Sequence, residues 1–175
     1  MPKTKRRLFV KSAFAERVDL EGKTMIVTGA SPGSLGFETA RTLASWGAEV
    51  VITTRNETRS VRETLVDELP DDARDRVTGH PLDLCDPTSV TRFVRWYLDV
   101  HGERLDVLIN NAGVHLDLMS AWKAPRLTEA GFDSQWRTTY PAPMHIPLEL
   151  MAARETTAGA TGEARVVNVV SRLHF

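Results

Sequence analysis

Apolar residues along this chain fall into two alternating textures: short β-branched runs, and longer stretches in which they recur every three or four positions. The first run, Thr24-Met25-Ile26-Val27-Thr28, enters a glycine-rich turn and then a segment of helical period, which predicts strand, turn and helix in that order. In that helix Phe37, Ala40, Leu43, Ala44 and Trp46 cluster on one face, while Glu38, Arg41, Thr42 and Ser45 lie mainly elsewhere. Gly47 follows as a left-handed cap. Residues 48–54 (AEVVITT) form a second apolar run without sustained alternation, the signature of a strand buried on both faces of a parallel sheet.

Asn56 to Leu69 reads as a charged surface helix closed by Pro70, and Arg76 to Leu84 as a third strand ending at Asp83. A further helix is expected from about Asp86 to Val100, with Pro87 in the first turn, where its missing N–H does no harm, and Gly102 as its stop. Leu105 to Ile109 and Arg165 to Val170 are the fourth and fifth strands. Between them Pro141, Pro143 and Pro147 predict an irregular stretch over 137–146 and a helix that begins near Pro147, because an interior helical proline costs about 3 kcal/mol. Strands alternating with helices at this spacing define the α/β class. The expectation is a Rossmann-type, doubly wound parallel sheet of about five strands with helices on both faces.

At 175 residues the chain has room for one domain and none for a separate substrate domain. With 42% apolar and 26% charged residues it is a globular composition, neither disordered nor fibrous. Twenty-two basic against 23 acidic side chains leave a net charge of −1, so nothing draws it to nucleic acid. The basic residues Lys3, Lys5, Arg6, Arg7 and Lys11 crowd the start, which reads as a solvated tail or leader over 1–18, followed by a single Rossmann-type domain over 19–175. Lys11 breaks the run Leu8-Phe9-Val10 too early for a secretory signal; an organelle transit peptide is the alternative. No stretch of about 18 apolar residues spans a membrane. Cys85 is the single cysteine, so no internal disulfide forms; it reads as an inert thiol in a cytoplasmic protein. His145 lacks ligand partners, and no metal site is expected.

The turn Thr28-Gly29-Ala30-Ser31-Pro32-Gly33-Ser34-Leu35-Gly36 lies where a strand meets a helix N-terminus, and free amides and the helix dipole favour a phosphate there. Gly29, Ser31, Gly33, Ser34, Leu35 and Gly36 are its candidate contacts, with the N–H groups of Ser34 and Leu35 directed to a diphosphate. No lysine follows the last glycine, which disfavours a nucleoside-triphosphate loop. At the end of the second strand a carboxylate would bind the ribose hydroxyls of NAD and repel the extra phosphate of NADP. Here Thr53-Thr54-Arg55-Asn56 offers a cation instead, so Arg55 favours NADP over NAD, unless it is an ordinary solvated arginine opening a helix.

Three further motifs follow in order: Asp83-Leu84, Asn110-Asn111-Ala112-Gly113 and Val166-Val167-Asn168-Val169-Val170-Ser171. With the glycine turn they resemble the short-chain dehydrogenase/reductase family over residues 19–175, in wording most like its retinol-dehydrogenase-like branch. The resemblance implies that Asp83 and Leu84 sit beside the adenine, that Asn110, Ala112 and Gly113 belong to the cofactor cleft, and that Ser171 is the catalytic serine.

Departures from the family pattern are equally visible. The glycines at 29, 33 and 36 are spaced one residue wider than TGxxxGxG, and Ser34-Leu35-Gly36 aligns alternatively with the Ser-Ile-Ala of enoyl reductases. Thr139 stands where the family has a catalytic asparagine. The family's proton donor is a tyrosine with a lysine four residues on, but here Tyr97 is followed by His101 and Tyr140 by Met144. Without that acid, the step is expected to lose about 10²- to 10⁴-fold. The resemblance further implies a chain about two-thirds as long as a family member, truncated before the tyrosine helix, with an uncovered fifth strand and marginal stability or pairing into a homo-oligomer. The leading reading is an NAD(P)-dependent oxidoreductase for a small carbonyl or alcohol substrate, impaired in catalysis. A non-catalytic dinucleotide-binding or interaction module is the alternative, and a methyltransferase-like fold ranks below both because it wants an acid where Thr54 and Arg55 stand.

Overall fold

The computed structural model describes residues 15–113, 127–128, 131–139 and 141–170. Five parallel strands, β1 (Thr24–Thr28), β2 (Glu49–Thr54), β3 (Val77–Pro81), β4 (Val107–Asn110) and β5 (Arg165–Asn168), form one sheet in the order β3-β2-β1-β4-β5. The helices are α1 (Leu35–Ser45), α2 (Thr58–Asp67), α3 (Pro87–His101), α4 (Ser134–Thr139), α5 (Pro141–Glu149) and α6 (Met151–Thr161), with a 3₁₀ turn at Asp71–Arg76. This is the doubly wound Rossmann arrangement the sequence predicts.

Strand periodicity explains the two layers. Met25 and Val27 of β1 point to one face, where Phe37, Ala40 and Ala44 of α1 and Val61 and Leu65 of α2 cover them. Ile26, Val51 and Leu108 point to the other, beneath Val90, Phe93 and Tyr97 of α3 and Ile146, Leu150 and Ala153 of the α5–α6 segment. Every residue of β1 is buried, as a strand covered on both sides requires. On the outermost strand β5, Val166 packs into the second cluster, while Val167 on the opposite face is 44% exposed. No helix among the described residues is long and apolar enough to cross a membrane.

Local signals hold at most boundaries. Asp86 caps α3 by accepting the Thr88 N–H (2.8 Å), Pro87 fills the first position, and Gly102 ends the helix at φ +61°. Gly47, at φ +106°, follows the α1 cap. Two expectations need correction. The third strand ends at Pro81, so Asp83 lies beyond it in a turn closed by the Asp86 N–H to its carbonyl (3.2 Å). The segment 137–146 is largely helical, not irregular. Pro141 and Pro143 occupy the first turn of α5, where no intrahelical acceptor is needed, and only Pro147 removes an interior bond.

At the N-terminal edge of the sheet, Asp106 is 3% exposed and ties β1 to β4. Its Oδ1 accepts from Lys23 Nζ (2.9 Å), and its Oδ2 accepts from the Thr24 N–H (2.9 Å) and from Arg104 Nε (3.4 Å). Burial opposes ionisation of this carboxyl, but the Thr24 amide, Lys23 and Arg104 outweigh it and hold the group below the usual carboxylate range. The unfolded chain therefore takes up the proton first, so this stabilisation is complete above about pH 4 and drains away as pH falls through the folded-state value. Asp106→Asn is expected to cost about 2–3 kcal/mol at neutral pH and to flatten the acid limb of the stability curve, as measured by urea unfolding across pH.

Candidate dinucleotide-binding site

The chain order reverses between β1 and β4, and in open α/β sheets ligands are taken at the carboxyl ends of the strands at such a point. The turn after β1 is held from two sides. Gly29 and Ala30 both donate to the carbonyl of Thr53 on β2 (2.9 and 3.0 Å). On the β4 side, the Thr28 hydroxyl accepts the N–H groups of Asn111 and Ala112 (both 3.0 Å) and lies 3.3 Å from the Ile109 carbonyl, to which it donates. Asn111 Nδ2 donates back to the carbonyls of Thr28 (2.9 Å) and Gly29 (3.1 Å).

This closeness dictates two of the glycines. Gly29 sits at φ +71°, and a Cβ there would lie 2.7 Å from the Cα of Ala112. A Cβ at Gly36 would lie 2.3 Å from Asn111 Nδ2 and 2.7 Å from the Gly29 carbonyl oxygen. At Gly33, also left-handed at φ +75°, a Cβ would meet nothing within 4 Å. Its glycine answers to backbone conformation, in a loop otherwise open at that point.

Ser34 is the N-cap of α1: its Oγ accepts the Phe37 N–H (3.2 Å) and approaches the Gly29 carbonyl (3.3 Å). The Ser34 N–H donates to the Ser31 carbonyl (3.0 Å), so it is spent inside the loop and is not presented to a ligand as the sequence suggested. The amides of Leu35 and Gly36 have no acceptor among the described residues and lie at the positive end of an 11-residue helix. Ser31 is exposed beside them. Leu35 is exposed and Gly36 is buried at this end of the helix.

Other candidate residues are arrayed at the same strand ends. Arg55 follows β2, is exposed, and has no ion pair among the described residues. Asp83 follows β3, half-buried, its Oδ1 accepting the Cys85 N–H (2.8 Å) and its own N–H bonded to Ser89 Oγ (2.9 Å). The Leu84 side chain is 6% exposed and packs into the core instead of lining a cleft. Asn110 ends β4 with its Nδ2 on Asn168 Oδ1 of β5 (2.9 Å). Ala112 faces Gly29, and Gly113 is exposed with open space at its Cβ position. Cys85 Sγ reaches Thr138 Oγ1 (3.2 Å), joining the Asp83 turn to α4, whose last residue is Thr139. The side chain of Thr139 and the whole of Ser171 lie outside the described residues. Sequence reasoning missed Thr28, Thr53 and Asn111 as the scaffold of the loop. The signal available was a threonine ending β1 and the doubled asparagine after β4.

Residues 23–174 match the family model described as short chain dehydrogenase, and the chain belongs to that family. It is 38% identical over 159 residues to a probable oxidoreductase of Streptomyces antibioticus, covering 90% of this chain and 48% of that protein. It is also 33% identical over 170 residues to human retinol dehydrogenase 12, covering 97% and 49%. The chain thus spans about half the length of the curated relatives it matches. Among solved structures, a metagenomic short-chain oxidoreductase in complex with NADP superposes with a TM-score of 0.64 at 30% identity, covering 87% of this chain and 63% of that one. An NADH-dependent reductase responsible for alginate metabolism shares the fold with a TM-score of 0.67 at 22% identity, covering 87% and 60%.

The glycines separate two kinds of cost. Gly29→Ala adds a backbone clash to an unfavourable φ and is expected to cost about 3 kcal/mol or more, or to prevent folding. Gly33→Ala should cost only about 1 kcal/mol with the fold intact. Chemical denaturation of the two variants makes the comparison.

Proposed function

We propose that the chain is the cofactor-binding part of a nicotinamide-dependent short-chain oxidoreductase, with a preference for NADP over NAD. The observation that carries the reading is the pair of amides, Leu35 and Gly36, that have no acceptor among the described residues, over a loop latched to both neighbouring strands, with Arg55, unpaired among the described residues, at the end of the adjacent strand. The similarity to a solved oxidoreductase with NADP, at 30% identity, supports the same cofactor. In this reading Leu35 and Gly36 donate to the diphosphate, Asp83 stands beside the adenine, and Arg55 clamps the ribose 2′-phosphate with a charge-assisted fork.

When bound, the nicotinamide supplies or accepts hydride for a small carbonyl or alcohol. Ser171, three residues past β5, holds the substrate oxygen, and Thr139 offers a hydroxyl where the family uses an amide. The 175 residues contain no tyrosine with a lysine four positions on, so this polypeptide supplies no phenol of lowered pKa to complete the proton transfer. We therefore expect it to bind cofactor far better than it turns over aldehydes. The second reading is a dinucleotide-binding module without chemistry.

Fluorescence titration with NADPH and NADH tests the binding claim. Arg55→Ala should raise the NADPH dissociation constant about tenfold or more and leave that for NADH within about twofold. Absence of NADPH binding at millimolar concentration would overturn the proposal. Turnover of retinal-like or simple aldehydes at a rate typical of enzymes, a few per second or faster, would exclude the module reading.

A further inference from the structure

The turn that carries Arg55 is built on two buried threonines whose hydroxyls face one another. Thr54, the last residue of β2, and Thr58, the first of α2, are 4% and 6% exposed. Their Oγ1 atoms are 2.7 Å apart; Thr54 Oγ1 lies 2.8 Å from the Asn56 carbonyl and Thr58 Oγ1 lies 3.3 Å from the Thr54 carbonyl. Each hydroxyl has one proton. A carbonyl only accepts, so the short contact to Asn56 takes the Thr54 proton, and Thr58 must then donate to Thr54. The result is a directional relay, Thr58 to Thr54 to the Asn56 carbonyl, in which each bond polarises the next.

Three neighbouring features show that this shape is specified. Glu57 is the one non-glycine residue of positive φ (+55°) among the described residues, a conformation that costs about 1–3 kcal/mol and persists only where surroundings impose it. It caps α2 without a side-chain bond, so capping does not explain it. Gly79 on β3 makes room: a Cβ there would lie 3.0 Å from Thr58 Cγ2. Finally, the Thr54 carbonyl also accepts the Leu82 N–H (2.8 Å), which anchors the relay to β3.

The other arginines of this corner are engaged. Arg59 pairs with Glu63 (3.1 Å) and Arg62 donates to the Val77 carbonyl (2.6 Å), whereas Arg55, inside the constrained turn, has no acceptor among the described residues. We propose that the Thr54–Thr58 hydroxyl pair positions Arg55 for cofactor discrimination, fixing the backbone of residues 55–57 so that the guanidinium is pre-set for a ribose 2′-phosphate. The inference rests on the NADP reading above and assigns the two threonines as positioning residues, not contacts.

The test is calorimetric titration of the full chain with 2′,5′-ADP and with 5′-ADP, which differ in the 2′-phosphate in question. Thr54→Val is expected to weaken 2′,5′-ADP about five- to tenfold and to leave 5′-ADP within about twofold, while Thr54→Ser restores the wild-type ratio. Thr58→Val should shift the ratio in the same direction by a smaller factor, and it carries the test if Thr54→Val does not fold. A threonine variant that keeps the wild-type ratio, or weakens both ligands equally, overturns the positioning role when Arg55→Ala abolishes the ratio. An Arg55→Ala chain that keeps the ratio overturns the cofactor reading, and the positioning role falls with it.

Discussion

The hydroxyl of Thr28 joins the two halves of this sheet. It is 1% exposed, and its one proton and two lone pairs are matched by the Ile109 carbonyl and the amides of Asn111 and Ala112. Its partners are all backbone groups at the end of β4, so one side chain of β1 fixes the spacing of the two adjacent strand ends at the point where the chain order reverses. Asn111 completes the latch by holding the carbonyls of Thr28 and Gly29. The glycines at 29 and 36 follow from this approach of the chain to itself, since an added Cβ at either meets protein atoms under 3 Å away. A ligand is not needed to explain them. Gly33, with open space beyond it, is explained by its left-handed φ of +75°.

The opposite end of the same strand pair is fastened by charge. β1 and β4 share three registered residues, against five for β1 and β2, so the ladder between them is the shorter of the two. Asp106 compensates, binding the Thr24 amide and Lys23 from the far side, while its own backbone bridges Thr24 and Arg165. A buried carboxylate is costly alone, and here every partner is a donor or a cation. The pair is thus clamped at both ends by side chains.

Much of this was legible in the sequence because the two periodicities differ so clearly. The strands at 24–28 and 49–54 are β-branched runs, and α1 and α3 carry their own caps at Ser34 and Asp86. What misled was residue type read without position. Three prolines look like a broken helix, yet two of them fall in the first turn of α5, where the missing N–H costs nothing. Ser34 in a glycine-rich loop reads as a phosphate contact, but its Oγ accepts the Phe37 N–H (3.2 Å) as the cap of α1 and its amide is bonded to Ser31 (3.0 Å). Arg55 was identifiable because it follows a strand. Thr54 and Thr58 were not, since a threonine at a strand end is an ordinary β former until its hydroxyl is seen to face another.

The N-terminus of α1 is capped at one amide and not at the two before it, among the described residues. Of the first three N–H groups of α1, Ser34 satisfies that of Phe37, and Leu35 and Gly36 are left without an acceptor among the described residues. Were all three unpaired, the helix would lose its cap, worth about 1 kcal/mol. Were all three capped, no donor would remain. An acidic residue in the first turn, Glu38, would by itself weaken a phosphate's attraction to this end, but its carboxylate is bound by Arg41 at 2.6 Å. That exposed pair adds little to stability; its consequence is electrostatic, offsetting a negative charge one helical turn from the site. Helix capping, glycine placement and charge pairing thus act together at the carboxyl end of β1, leaving the Leu35 and Gly36 amides without an acceptor among the described residues and the Glu38 charge offset beside them.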